Sequence, residues 1–145
     1  MLRGNYPATV DEKGRLKIPA GFLAELRKFG KRFYVTSENG DFARIYPMKT
    51  WVEIEKRLAK LSSHNRAKQR FLTRTNYFGQ VVELDGQGRL LIPTVLRDSA
   101  EMKGDVDVMG QLTYLEIWNH GRFVASMKKN PLTDEDAQAL DGLGI

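Results

Sequence analysis

Apolar residues along this chain fall into short alternating runs broken by glycine-containing turns, interleaved with stretches in which they recur every three or four positions. Tyr6–Val10 and Leu16–Ile18 are β-prone runs flanking Asp11-Glu12-Lys13-Gly14, where the glycine supplies the positive φ of a tight reversal, so the pattern predicts a hairpin. Pro19 ends the second strand and suits the first turn of a helix carrying Phe22, Leu23, Leu26 and Phe29, with Gly30 as its stop. Arg32–Thr36 and Phe42–Tyr46 then read as two strands around Ser37-Glu38-Asn39-Gly40-Asp41, where Asn-Gly is a strong reversal signal.

The same order recurs downstream. Gln80–Leu84 and Leu90–Ile92 flank a second turn, and Pro93 opens an amphipathic stretch with Val95, Leu96, Ala100 and Met102 that ends at Gly104. Asp105–Met109 and Thr113–Trp118 form a later hairpin around Gly110-Gln111. Between the copies, Pro47 opens a helical connector whose apolar stripe is Trp51, Ile54, Leu58 and Leu61, followed by a break at Ser62-Ser63-His64-Asn65 and a second helical stretch through Phe71-Leu72. After Pro131, Thr133-Asp134-Glu135-Asp136 can cap a short terminal helix. The predicted organisation is a first module over 1–50, a connector over 51–76, a second module over 77–123 and a tail over 124–145.

The repetition is visible in the letters themselves. DEKGRLKIP at Asp11–Pro19 and DGQGRLLIP at Asp85–Pro93 lie 74 residues apart and agree at six of nine positions, which argues for two small modules and not one large domain. At 145 residues the chain is long enough for a real core, with about 70% of its unfolded surface buried on folding. There are no cysteines, which removes disulfides, thiolate metal sites and cysteine nucleophiles and suits a reducing compartment, so a cytoplasmic location is expected. Met1–Leu16 holds no apolar run resembling a signal peptide, and no stretch approaches the roughly 20 apolar residues that span a bilayer.

Charge is distributed unevenly. Residues 1–75 hold 17 Lys and Arg against 7 Asp and Glu, a net +10, whereas residues 76–145 hold 6 against 11, a net −5. Such a field favours a polyanionic partner for the first half, and nucleic acid is the natural candidate. For Lys56, Arg57, Lys60, Arg66, Lys68, Arg70 and Arg74 of the connector, a solvated basic helix face is favoured over direct phosphate contact. Pairing of the basic half of one protomer with the acidic half of the next is a third source of the asymmetry.

The repeated phrase carries little that resembles catalysis. GQGRLL lacks the third glycine of a dinucleotide fingerprint, and neither copy resembles a Walker loop. His64 and His120 stand far apart and outside any ligand spacing, so no metal and no cofactor is expected. No nucleophile, base and orienting group stand together, so the chain is not expected to be an enzyme or to take a small-molecule substrate. What the phrase does hold is an acid four residues before an arginine, around Gly14 in one copy and Gly88 in the other. Asp11 faces Arg15 across its turn, and Asp85 faces Arg89, so each carboxylate can hold the plane of a long side chain. An arginine held in this way offers its planar fork to a phosphate or to the O6/N7 edge of guanine at reduced conformational cost. The alternative is a structural ion pair that locks each hairpin, worth only about 0–1 kcal/mol if exposed.

A D-x-x-G-R-[LV]-x-I-P hairpin followed by a short helix and further strands resembles the SpoVT/AbrB-type swapped-hairpin DNA-binding domain. Two copies in a chain of this length resemble the MraZ family of bacterial transcriptional regulators, as do Arg3-Gly4-Asn5-Tyr6, Ile45-Tyr46-Pro47 and Arg74-Thr75-Asn76-Tyr77-Phe78-Gly79. The resemblance implies an α+β, β-rich fold in which two swapped-hairpin β-barrel modules form an intramolecular pseudo-dimer. It also implies double-stranded DNA as partner, bound at direct repeats upstream of the protein's own gene at the head of the division and cell-wall cluster. Autorepression, a homo-oligomeric ring and association with the nucleoid follow from the same likeness. Carried over by position, Arg15 and Arg89 are the expected DNA contacts and Asp11 and Asp85 their orienting partners. Arg3, Lys13 and Lys17 are added from charge and position; whether Arg89 touches DNA or mainly supports its module stays open. An antitoxin-like protein-interaction module of the same fold is the rival reading, although such a chain usually has one domain and a long disordered acidic tail.

Overall fold

The strands on either side of each repeated turn take most of their partners from the other copy, so the two repeats build one sheet. The computed structural model describes residues 1–145. In chain order its elements are β1 (Asn5–Val10), β2 (Arg15–Lys17), α1 (Ala20–Lys28), β3 (Arg32–Thr36), β4 (Ala43–Pro47), α2 (Met48–Ala59), α3 (Arg66–Tyr77), β5 (Gln80–Glu83), β6 (Arg89–Leu91), α4 (Thr94–Ser99), β7 (Gly104–Gly110), β8 (Leu115–Asn119), α5 (His120–Lys129) and α6 (Asp134–Leu140), closed by a 3₁₀ turn at Asp141–Leu143. All eight strands lie in one antiparallel sheet of order β5-β3-β4-β8-β7-β1-β2-β6, a nearly closed barrel.

The local hairpin expected at each repeated turn is therefore only a stub. In the first copy, β1 and β2 share the single pair Val10 with Leu16, because β2 is three residues long and Pro19, with no N–H to donate, cannot extend a ladder. The long ladder of β1 runs to β7, from Asn5 opposite Met109 to Val10 opposite Gly104. The equivalent ladder of the other copy joins β5 to β3. Two further ladders cross the pseudo-two-fold axis: β2 on β6, with Leu16 opposite Leu90, and β4 on β8, with Ala43 opposite Ile117 and Ile45 opposite Leu115. Alternation then puts Leu16, Leu90, Ile45, Ile117 and Leu115 inside, and all five are fully buried.

Helices cap the barrel for reasons visible in the repeat. Ile18 and Ile92 are buried at the strand ends, and Pro19 and Pro93 follow with ψ near 140°, turning the chain into α1 and α4. Phe22 and Leu26 of α1, with Leu96 of α4 and the following Met102, enter one core cluster drawn from both copies. The connector helices bring a second, aromatic cluster. Trp51 of α2 stacks on Tyr34 at 4.6 Å and lies 5.0 Å from Tyr46, while the Thr75 carbonyl of α3 accepts from the Tyr34 hydroxyl (3.0 Å) and the Thr36 hydroxyl (2.6 Å). Trp51 and Ile54 of the predicted stripe join this cluster, but Leu61 lies past the end of α2 and is exposed.

Two elements differ from the sequence reading. α4 ends at Ser99, so Ala100 and Met102 pack from outside a helix. α5 was not expected: it runs across the predicted start of the tail and occupies in the second copy the place of α2 in the first. Its signal was Asn119, whose side chain accepts from the Arg122 N–H at 3.2 Å, followed by Phe123, Val124 and Met127 at helical spacing. The terminal helix was expected, and Thr133 and Asp136 close its capping box. No helix is long and apolar enough to cross a membrane.

A single core drawn from both copies predicts one cooperative unfolding transition. Leu16→Ala and Leu90→Ala should each cost about 2–5 kcal/mol in urea denaturation, and the double variant should deviate from additivity by about 0.5 kcal/mol or more, since the two residues face each other. Two separable transitions, each moved by only one of the substitutions, would contradict the interlocked core.

Candidate nucleic-acid interface

The repeated turns are built around one carboxylate each. Asp11 Oδ1 accepts from the backbone N–H groups of Lys13 and Arg15, both at 2.9 Å, and Oδ2 accepts from Arg15 Nε at 3.0 Å. The Gly14 N–H donates to the Asp11 carbonyl at 2.9 Å, and Gly14 sits at φ +82°, a conformation costly for any residue with a Cβ. In the second copy Asp85 Oδ1 accepts from Gln87 and Arg89 at 2.9 Å, Oδ2 accepts from Arg89 Nε at 2.9 Å, and Gly88 has φ +74°. This explains the spacing: one oxygen closes the turn and the other fixes the arginine that leaves it. These hydrogen bonds, first the one from the following arginine's backbone N–H, hold both carboxyls below their ordinary value of 3.8.

Each guanidinium is pinned through Nε alone. Its four remaining N–H donors make no hydrogen bond within the protein. The Arg15 and Arg89 side chains are 34% and 27% exposed, so they are held yet open.

The β2–β6 ladder brings these two arginines together. Arg15 lies opposite Leu91, Leu16 opposite Leu90, and Lys17 opposite Arg89. Since residues directly opposite share a face and neighbours alternate, Arg15, Lys17, Arg89 and Leu91 all project from the outer side of one two-stranded ribbon, while Leu16 and Leu90 point into the core. Reciprocal bonds, Ile18 N–H to the Gly88 carbonyl and Ile92 N–H to the Gly14 carbonyl, both 2.9 Å, bind each strand end to the opposite turn. The backbone treats Arg15 and Arg89 alike.

The side chains around them are not alike. A Cβ on Gly14 would lie 2.0 Å from Arg97 Nη1, so the Arg97 guanidinium of α4 lies over the first turn; on Gly88 it would meet Leu23 of α1 at 3.0 Å. Arg97 is a cation of this region that the sequence reading missed, because it reaches the first turn from the second copy's helix. With Lys13 against Gln87 and Lys17 against Leu91, three cations of one set face three neutral residues of the other. Arg3 is not part of this group. It precedes β1 at the end remote from the turn, near enough to Glu25 of α1 to help lower that carboxyl, behind the larger effect of Lys28. The cationic connector lies outside this group, since α2 and α3 pack on β3 and β4, which β5 separates from β6 on one side and β8, β7 and β1 separate from β2 on the other.

Residues 1–74 and 79–143 match the family described as "MraZ protein, putative antitoxin-like". The chain is 49% identical to a transcriptional regulator MraZ of Acidobacterium capsulatum and 50% identical to one of Koribacter versatilis, in both cases over the whole of both chains. A transcriptional regulator MraZ of Moorella thermoacetica is 40% identical, over 85% of this chain and 84% of its own. The chain belongs to the MraZ family. Its relatives are regulators of transcription by name, not enzymes, and the two matched segments of the MraZ family correspond to the two copies that share the barrel.

The turn chemistry makes a pH prediction for this MraZ chain. Because the folded carboxyls of Asp11 and Asp85 titrate below 3.8, their stabilisation of the turns is complete above that value and is lost as pH falls through the lower folded value. Carboxyl ¹³C titration should place both inflections below 3.8, and Asp11→Asn should remove the acid-induced change at the first turn alone. Inflections at or above 3.8 would contradict the hydrogen-bonding account.

Proposed function

We propose that the chain is a sequence-specific DNA-binding regulator whose β2–β6 ribbon enters the major groove, with Arg15 and Arg89 on base edges and Lys13 and Lys17 on flanking phosphates. The observation that carries this reading is the pair of Nε-anchored arginines on one outward face of a two-stranded ribbon. Strands about 4.8 Å apart fit a groove about 12 Å wide, and an anchored guanidinium can form two parallel bonds to guanine without first losing rotamer freedom. Arg97, over the first turn, joins the phosphate contacts, and Arg3, before β1, adds positive charge outside this cluster. The net +10 of residues 1–75 adds attraction that does not depend on sequence.

The finer reading follows the MraZ likeness: autorepression from direct repeats upstream of the protein's own gene, with several protomers assembled in a ring at the nucleoid. A ribbon with few base contacts gains selectivity in such an assembly, because each engaged box raises the effective concentration of the next ribbon. The net −5 of residues 76–145 and the basic connector, which packs on β3 and β4, suit contacts between neighbouring protomers.

Gel-shift titration of the duplex upstream of this gene tests the reading. Arg15→Ala and Arg89→Ala should each weaken binding by about 1–3 kcal/mol, roughly ten- to hundredfold, while oligomeric state and far-ultraviolet circular dichroism stay unchanged. Asp11→Ala should weaken it less, through loss of orientation, and affinity should fall steeply with salt. Unchanged binding by both arginine variants, with normal assembly, would overturn the proposal. Binding that requires a second protein would favour the antitoxin-like reading.

A further inference from the structure

Leu91 is 45% exposed on the outer face of the ribbon, directly opposite Arg15 and two residues from Arg89. The other three residues of that face are cations. The position related to it by the pseudo-two-fold axis holds Lys17, and the backbone bonds around the two positions are equivalent at 2.9 Å. The fold therefore accepts a lysine there and does not require a leucine. On a face turned toward a polyanion, leucine gives up the phosphate attraction that lysine supplies and leaves apolar surface in water. Such surface gains only if something apolar covers it. In the major groove the one apolar group on a base edge is the C5-methyl of thymine.

We propose that Leu91 is a specificity-determining residue that packs on the methyl group of a thymine beside the base pair contacted by Arg15. This inference rests on the ribbon reading DNA as proposed above. Cross-strand neighbours have Cβ atoms about 4.5–5.5 Å apart, and successive bases on a strand are about 3.4 Å apart, so Arg15 and Leu91 address neighbouring steps. At the other end of the ribbon Arg89 is partnered by Lys17, which has no methyl to seek and meets phosphate or guanine. One protomer then reads a box whose two ends differ, and it sits on DNA in one orientation only. A two-fold fold thus acquires a non-palindromic site, and neighbouring protomers in a head-to-tail assembly repeat that box in the same direction.

The test uses the full-length protein and duplexes selected by it from a pool with a randomised central block. In the best-bound duplex each thymine is replaced in turn by deoxyuridine, which removes only the methyl group. The wild type should lose about fourfold in affinity at one position, the worth of one buried methyl-sized group, and that position should adjoin the base pair whose preference disappears in Arg15→Ala. Leu91→Ala should bind thymine and deoxyuridine equally there, and Leu91→Lys should change the base selected there while binding persists. Tolerance of deoxyuridine at every position by a wild type that selects a clear sequence would overturn the Leu91 contact and leave DNA reading intact. An equal methyl effect in Leu91→Ala would assign the methyl to another residue. A wild type that enriches no sequence would instead remove the underlying proposal.

Discussion

The antiparallel register of β2 on β6, centred on Leu16 opposite Leu90, is the constraint on which the other features depend. It sends two leucines into a common core and therefore sends Arg15, Lys17, Arg89 and Leu91 out together. A slip of β2 by one residue would turn Arg15 and Lys17 toward the core and Leu16 toward solvent, and a slip of β6 would do the same to Arg89 and Leu90. The same register closes each repeated turn against the other copy, through Ile18 to Gly88 and Ile92 to Gly14. Fold and candidate interface are thus two sides of one short ladder.

Much of this was legible in the letters because local rules carry it. The Asp-x-x-Gly-Arg turns, the proline starts of α1 and α4 and the Trp51–Ile54 part of the apolar stripe of α2 each follow from short-range chemistry, and all are present. The pairing of β1 with β7 is different: no short-range signal distinguishes a strand that closes its own hairpin from one that crosses to another copy. Only the three-residue length of the second strand, stopped by proline, hinted that the local hairpin could not satisfy β1. Arg97 was hidden for the same reason. Its approach to Gly14 depends on the exchange of strands and not on any spacing along the chain.

The duplication imposes a symmetry that the side chains then break. The hydrogen bonds that each carboxylate accepts from its arginine, Asp11 from Arg15 and Asp85 from Arg89, agree within 0.1 Å, which removes the structural ground for ranking one arginine above the other. The differences lie around them, in Lys13 against Gln87, Lys17 against Leu91 and Arg97 against Leu23. A homodimer could not make such substitutions independently; fusing the two copies in one chain allows the ribbon ends to diverge while the core stays shared. The connector cations stand apart from this divergence and belong to another surface of the barrel.

Arginine-directed modification read by mass spectrometry, with and without the upstream duplex, tests the central claim most directly. If the ribbon reads DNA from both copies at once, Arg15 and Arg89 become protected together and over the same range of DNA concentration. Protection confined to Arg66, Arg70 and Arg74 of the connector, with Arg15 and Arg89 still reactive, would contradict the account.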